Sequence, residues 1–424
     1  MTPSARSPRL VVESGTHLAD NLGDLAMLQV ALLRLREAWP DAVVGVLTAA
    51  PERLARHCPD AEPLPAQGRW RWLSPPAGPE PGPAARPARL LAAAGWRRGG
   101  RTGRAALWAD KVAHRADGSV TRLIAALLDA DGFLLAGRGG TTDVFLGDSL
   151  QTLELVRAAI ATGRPTAALG QGIGPLTDPV LARTAGDVLG RVDVLSVREG
   201  RVAPGHLAAI GAGPARAVVT GDDAVELALP SDGAPARGDS IGLSVRRAAY
   251  AGLAPEQLAR AGEVIASTAR RLGARLTAVP ISIGEQDPDA PVIRAVAGAT
   301  PLDGGEDVRA VPEAVARAAR CRIVVTGTYH AAVFALAQGV PVVGLHGSDY
   351  YADKLAGLGE RFGGGVRLVG AGDGLDRRLE QAMEDAWHAP AGERESLVAA
   401  GCEQVRAGRA AYRRFTELVE LGMR

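Results

Sequence analysis

The sequence predicts an α/β protein of two parallel-sheet domains. Short apolar runs of strand length alternate with helical patterns almost throughout the chain. At 424 residues it exceeds one ordinary hydrophobic core. A linker-like stretch, "PSDGAPARGDS" at 230–240, divides one set of alternations from a second. The expected units are residues 1–231, residues 238–388 and a closing helix within 389–424.

The first strand is "RLVVES" at 9–14, and the helix after it carries Leu22, Leu25, Leu28, Leu32 and Leu35 at spacings of three and four. "DAVVGVLTA" (41–49) is the second strand. Further strands are expected at 132–136, 166–169, 192–197 and 217–220. In the second unit they recur as "SIGLSV" (240–245), "RLTAVPIS" (275–282), "CRIVV" (321–325) and "VPVVGL" (340–345). The closing helix is amphipathic over 393–421, with Val398, Cys402, Val405, Tyr412, Phe415 and Leu418 on one stripe.

Between 59 and 118 the alternation collapses into a basic, Pro/Gly-rich segment, which reads as an insertion that leaves the sheet. Two roles stay open for it. One is a solvated, partly mobile excursion. The other is a lid or acceptor-docking face that uses Trp70, Trp72 and Trp96 as stacking surfaces.

Composition removes several function classes. Hydrophobic residues make up 47% and charged residues 22%, as in a soluble globular protein. The formal charge of +1 gives no field that would draw in nucleic acid. Cys58, Cys321 and Cys402 are too far apart for a disulfide framework or a zinc pattern, and the seven histidines are scattered. The first residues lack a signal-peptide core, and no apolar run reaches the ~18 residues that span a bilayer, so a cytoplasmic protein without a transmembrane segment is expected. "LGDSLQT" lacks the nucleophile elbow of serine hydrolases, and no dinucleotide fingerprint follows the first strand.

In open parallel sheets, ligands bind beyond the carboxyl ends of the strands. Polar residues gather there in this sequence. Asp24 stands at a helix start, where it either contacts a ligand or complements the helix end. "GRGGTTD" (137–143), with Arg138, Gly139, Gly140 and Asp143, reads as a glycine loop whose amides approach an anion. "GQGIGPL" (170–176), with Gln171 and Gly172, is a tight turn or a second ligand contact. Arg198 lies one residue past a strand, able to clamp phosphate or carboxylate or to pair with Glu199 or Asp193. Asp222 and Asp223 precede a helix and suit N-capping. In the second unit Arg246 and Arg247 end a strand, and Thr328 and His330 open a helix. Lys354, one of only two lysines, lies near the inferred cleft.

These segments resemble the polysaccharide pyruvyl transferase family. The resemblance rests on "DNLGDLAML" (20–28), "GFLLAGRGGTTD" (132–143), "ALGQGIGPL" (168–176), "VLSVREG" (194–200), "VTGDDAVEL" (219–227), "SIGLSVR" (240–246) and "TGTYHAAVFALAQGVPVVGL" (326–345) with "DYYADKL" after it. It implies a GT-B-like fold: two facing Rossmann-like domains with the active site between them and a C-terminal helix returning to the first. It also implies transfer of pyruvate from phosphoenolpyruvate, a co-substrate, onto sugar hydroxyls, with no cofactor beyond it. Arg198 then resembles the donor-binding arginine and His330 the family's histidine. The family pattern before that histidine is Arg-x-His, whereas this chain has Thr328-Tyr329-His330. A cation is therefore missing there, with Arg246, Arg247, Arg138 and Lys354 as the candidates to replace it. Nucleotide-sugar glycosyl transfer, or a divergent family role, is the alternative that this departure keeps open. Oligomeric state and acceptor identity are not encoded in any motif.

Overall fold

The computed structural model describes residues 6–73, 96, 99–213, 217–231, 238–246 and 252–424. Two parallel sheets face each other. The first has eight strands: β1 (Arg9–Glu13), β2 (Val43–Thr48), β3 (Glu62–Pro65), β4 (Gly132–Leu135), β5 (Arg138–Thr141), β6 (Thr166–Ile173), β7 (Val194–Val197) and β8 (Ala217–Val219). Their order is β3-β2-β1-β4-β6-β7-β8, with β5 paired to β6. The second has six: β9 (Ser240–Ser244), β10 (Arg275–Ala278), β11 (Leu302–Asp303), β12 (Cys321–Thr326), β13 (Val342–His346) and β14 (Val366–Gly370), ordered β11-β10-β9-β12-β13-β14.

Chain direction along the sheet reverses between β1 and β4, and again between β9 and β12. Crevices open beyond the carboxyl ends of strands at such reversals, because the helices on either side diverge there. Those four ends carry Ser14, Arg138, Arg246 and Thr328, which all line one cavity.

Backbone pairing couples the two sheets. The Leu22 amide donates to the Ile281 carbonyl (2.8 Å) and the Ile283 amide to the Asp20 carbonyl (2.8 Å), which flank a bridge between Asn21 and Ser282. Asn21 also caps the helix Leu22–Ala38, accepting from the Gly23 and Asp24 amides. The helix Tyr329–Ala337 is buried over its whole length in the same interface. A helix apolar all round needs such a site, walled on every side. Phe334, fully buried there, would cost about 3–5 kcal/mol if truncated to alanine.

The closing helix, Ala391–Met423, returns across the first sheet, with Phe415 and Val419 seated over Gly132. Its buried stripe runs through Leu397, Gly401, Gln404, Gly408, Ala411, Phe415 and Val419. Cys402, assigned to the stripe from spacing alone, is exposed. Small and polar residues occupy the true seam, which an apolar-only pattern misses.

The segment from 59 to 118 rejoins the sheet once before it leaves it. Residues 62–65 extend the sheet as the edge strand β3, and the helices Ala66–Leu73 and Gly100–Ala113 follow. Trp72 and Trp96 are buried against each other edge-to-face (5.3 Å), so they are core rather than stacking platforms. The most Pro-rich stretch, 74–95, lies outside the described residues, as do Arg97, Arg98, Arg247 and most of the 230–240 linker.

Candidate active site

Two adjoining chambers of about 260 Å³ each open between the sheets. They share Gly139, Arg198, Tyr329 and Lys354 as a common wall. One chamber is polar and lies at the strand-order reversals. The other is largely apolar and extends toward residues 173–206.

Arg198 is 4% exposed, its guanidinium 4.2 Å over the Tyr329 ring and its Nη1 3.4 Å from Asp222 Oδ2. Burial alone would favour the neutral form, but Tyr329 and Asp222 more than offset it and keep this arginine charged. A Cβ on Gly139 would stand 2.5 Å from its Nη2, and one on Gly172 2.8 Å from its Nε. Both glycines are therefore clearance for Arg198.

That finding revises the glycine-loop expectation. Residues 138–141 form strand β5 beside β6, not a loop of anion-binding amides. Gly140 likewise makes room for Arg138, whose Nη2 would lie 2.3 Å from an added Cβ. Strand β6 also continues through 170–173, so the turn expected at 170–176 begins only at Gly174.

His330 projects from the first turn of the helix 329–337 and is 7% exposed. Its Nε2 lies 3.6 Å from Asp222 Oδ2, beyond hydrogen-bond length but close enough to pair when the ring is protonated. Burial raises the Asp222 carboxyl, yet His330, Arg198 and the Ala224 amide together bring it below its ordinary value. Asp222 is thus the carboxylate common to both candidate catalytic groups, and reading it as a cap missed this. It does cap as well, through Oδ1 and the Ala224 amide (2.9 Å). The His330 ring seats on Gly23, where a Cβ would stand 1.9 Å from its Cγ. The "NLG" of the first helix start is therefore shaped by the second sheet's histidine.

Thr328 occupies the N-cap position, but its side chain makes no capping bond. Its Oγ1, Ser14 Oγ and His330 Nε2 are buried without a hydrogen-bond partner among the described residues, and all three residues line the polar chamber. Buried polar groups are normally paired, so three unpaired ones around one space mark a ligand site. The first-turn amides of the helix behind Thr328 add a partial positive charge.

Lys354 stands in an aromatic cage, with Nζ 5.4, 4.8 and 5.3 Å from the ring centres of Tyr329, Tyr350 and Tyr351. Nζ also lies 3.2 Å from the Tyr350 hydroxyl, which reaches over to the Gly139 carbonyl at 3.5 Å. Burial, then the nearby Arg198 charge, bring the ammonium down to about 7. Tyr329 and Tyr350 were not foreseen; an aromatic beside a cation has no spacing signature.

The other expected residues divide. Asp24 and Arg246 line the polar chamber. Arg246 is paired with Asp287 (2.6 Å) and lies 3.6 Å from the buried Asp289. Arg138 lines the chamber too, tied to Asp148 and to Thr152 (2.8 Å). Behind it stands Arg69, 1% exposed, from the segment first read as an insertion; it joins the same Asp148 and Thr152. Gln171 is away from both chambers and donates its amide to the Leu135, Ala136 and Leu169 carbonyls, bracing β4 against β6. Asp143 likewise braces, accepting from Thr177 and the Asp178 amide. Among the described residues no cluster of His, Cys, Asp or Glu is placed to hold a metal, and no helix is long and apolar enough to cross a membrane.

The sequence model of the polysaccharide pyruvyl transferase family matches residues 21–348. No curated protein is significantly similar in sequence. Among solved structures, the glycotransferase of kitacinnamycin superposes with a TM-score of 0.54 at 16% identity, over 99% of both chains. The UDP-GlcNAc 2-epimerase of Neisseria meningitidis, solved with UDP-GlcNAc, gives 0.55 at 12% identity over 95% of this chain and 98% of that one. That of Methanocaldococcus jannaschii gives 0.51 at 11% over 95% and 98%. Identities this low speak for the GT-B fold and no further.

Proposed function

Because the chain belongs to the polysaccharide pyruvyl transferase family, we propose that its cleft moves the pyruvyl group of phosphoenolpyruvate onto hydroxyls of a sugar-type acceptor. The family makes the chain a sugar-modifying transferase; the donor and the residues that act on it are our reading. One observation carries it: Ser14, Thr328 and His330, whose Oγ, Oγ1 and Nε2 are buried and unpartnered, line a chamber also lined by Arg198 and Lys354. A small ligand with two anionic groups and a protonatable carbon suits that set.

Arg198 would clamp one anionic group with its planar fork, and Lys354 with the first-turn amides of the helix 329–337 would take the other. Lys354 thereby supplies the charge that Thr328 does not. His330 would protonate C3 of the enol, with Asp222 stabilising the imidazolium until the proton leaves. C2 becomes oxocarbenium-like, an acceptor hydroxyl adds there, the C2–O bond to phosphate breaks, and a second hydroxyl closes a cyclic ketal. Of the two protons the hydroxyls lose, one is matched by the new methyl carbon and one by the departing phosphate. The reaction balances without an oxidant, a reductant or a further cofactor, and its donor is a metabolite of the cytoplasm.

Thermal-shift and calorimetric titrations with phosphoenolpyruvate and with nucleoside diphosphates test this reading. The expected result is stabilisation by phosphoenolpyruvate, with phosphate released once a glycoside is added. Stabilisation by the nucleotide alone would overturn it in favour of glycosyl transfer.

A further inference from the structure

The donor reading leaves the second chamber unassigned. It meets the polar chamber only at Gly139, Arg198, Tyr329 and Lys354, so a ligand there would face the donor across the wall that holds the reacting centre. Its lining is otherwise different in kind. Ile173, Pro175, Val202, Tyr329 and Tyr350 give it apolar walls. Its carboxylates are Glu199, Asp349 and Asp353, while the cations lining it are the two on the shared wall.

The polar groups can be accounted for one by one. Glu199 accepts from the backbone amides of Arg201 (2.6 Å), Val202 (2.9 Å) and Ala203 (3.0 Å). Asp353 is paired with Arg201 at 3.1 Å. Arg198 faces Asp222, and Lys354 bonds Tyr350. Asp349 stands exposed at the rim, in the first turn of the helix 349–361. His206 remains. It is half-buried, its ring packs on Gly174 so closely that a Cβ there would lie 2.1 Å from Cδ2, and no residue described takes a hydrogen bond from or gives one to its ring. Gly174 therefore leaves room for the imidazole, whose nitrogens carry no hydrogen bond from a described residue and lie near enough to Asp143 to lower its carboxyl.

We propose that this second chamber is the acceptor subsite, that His206 hydrogen-bonds the acceptor hydroxyl, and that the ligand is a hydroxylated ring with an apolar face and no anionic group. The proposal rests on the donor reading for the identity of the opposite chamber. The chemistry follows from the lining. A sugar ring presents C–H bonds on one face, which pack on tyrosine rings and aliphatic walls, and hydroxyls on its edge, which need a polar partner. Away from the shared wall the charged groups lining the chamber are three carboxylates, of which Asp353 alone is paired with a cation, Arg201. This disfavours a uronate or a phosphate-bearing sugar there by like-charge repulsion and desolvation.

Saturation-transfer NMR on the full chain would use methyl β-galactoside, methyl β-glucoside and methyl α-mannoside, each against methyl β-glucuronide. At least one neutral glycoside should bind, and the glucuronide more weakly. His206→Ala should weaken the best neutral glycoside about tenfold, the value of one hydrogen bond to a neutral partner. His206→Asn should restore most of the loss, and both variants should keep phosphoenolpyruvate affinity within twofold. Val202→Trp, which fills the chamber, should abolish glycoside binding. Failure of every neutral glycoside to bind, tighter binding of the glucuronide, or an unchanged affinity in His206→Ala would overturn the assignment. So would an equal loss of both ligands in that variant. A wild-type protein that binds glycoside through His206 but never binds phosphoenolpyruvate would leave the subsite standing and remove the donor reading instead.

Discussion

Arg138, the first residue of β5, and Arg198, just beyond β7, both line the polar chamber, yet their surroundings differ. Around Arg138 the charges face one another, although Arg138 Nε, Arg69 Nε and Glu13 Oε2 carry no hydrogen bond. Arg138 and Arg69 share Asp148 and both approach Glu13, at 3.9 and 3.4 Å, with His17 2.9 Å from the same carboxylate. Burial would raise the Glu13 carboxyl, but His17, Arg69 and Arg138 pull it down to about 2. Arg198 has Asp222 as its ion-pair partner at 3.4 Å, and that carboxylate also serves His330. A charge already matched inside the protein offers little to a ligand; one matched loosely, beside unpaired hydroxyls, can be completed by an incoming anion. The first region is built as a floor, the second as a contact surface.

The strongest way to break this distinction is to remove chemistry from the contact surface. His330→Ala should lower kcat for phosphate release about 10³-fold, within the usual range for a general acid, while phosphoenolpyruvate still binds. Retention of more than a tenth of wild-type kcat would take His330 out of the mechanism. Next comes Arg198→Ala, expected to reduce kcat/KM about 10²-fold through lost electrostatic stabilisation. It also strands Asp222, so Arg198→Ala with Asp222→Asn should recover melting temperature without recovering activity. Recovery of activity in the pair would mean that Arg198 only balances Asp222.

Part of this contrast was legible in the sequence and part was not. The strand–helix alternation located most of the strands, because parallel sheets buried on both faces read as short apolar runs. It also brought Asp24, Arg198, Arg246, Thr328, His330 and Lys354 to the carboxyl edges that border the chambers. What it could not supply was pairing. Arg138 and Arg198 look alike one residue at a time; only the fold brings Asp148, Glu13 and Arg69 to the first and Asp222 to the second. The glycines were misread for the same reason. Gly139 and Gly140 suggested an anion-binding loop and Gly172 a tight turn or ligand contact, whereas all three clear space for the guanidinium groups of Arg138 and Arg198. Arg69 was hidden because β3 contains two prolines and sits at the sheet edge, where a strand has no apolar signature.

A smaller effect separates Lys354 from the floor by pH. Its ammonium is depressed from 10.5 to about 7, so the folded state holds fewer protons than the unfolded chain between those values. Burial of the charged form therefore costs stability below pH 7, and the cost is relieved as pH rises toward 10.5. An anionic ligand would reverse the shift. Phosphoenolpyruvate affinity should fall up to about tenfold per pH unit above 7, with proton uptake on binding at pH 8. Calorimetry in Tris and HEPES would measure that uptake, and Lys354→Arg should abolish it. Uptake that persists in the variant would assign the proton to another group.

The least effect on donor affinity should come from Arg138→Gln, and that is where the comparison is most exposed. If the floor is closed on itself, the substitution should change phosphoenolpyruvate affinity less than about threefold, because the charge of Arg138 is matched by Asp148 and Glu13. It should instead destabilise the fold by about 1–3 kcal/mol, since buried Glu13 and half-exposed Asp148 would then share the one guanidinium of Arg69. Glu13 sharpens the test. Its carboxyl, held near 2 against an ordinary 4.5, contributes stability that is complete above pH 4.5 and is lost as pH falls toward 2. Without Arg138 its value should climb, so acid unfolding should begin at higher pH than in the wild type. Melting curves from pH 3 to 7, read beside a donor titration, separate the outcomes. A stable variant with tenfold weaker donor binding would make Arg138 the cation that stands in for the arginine missing at Thr328, and the two regions would no longer differ in kind.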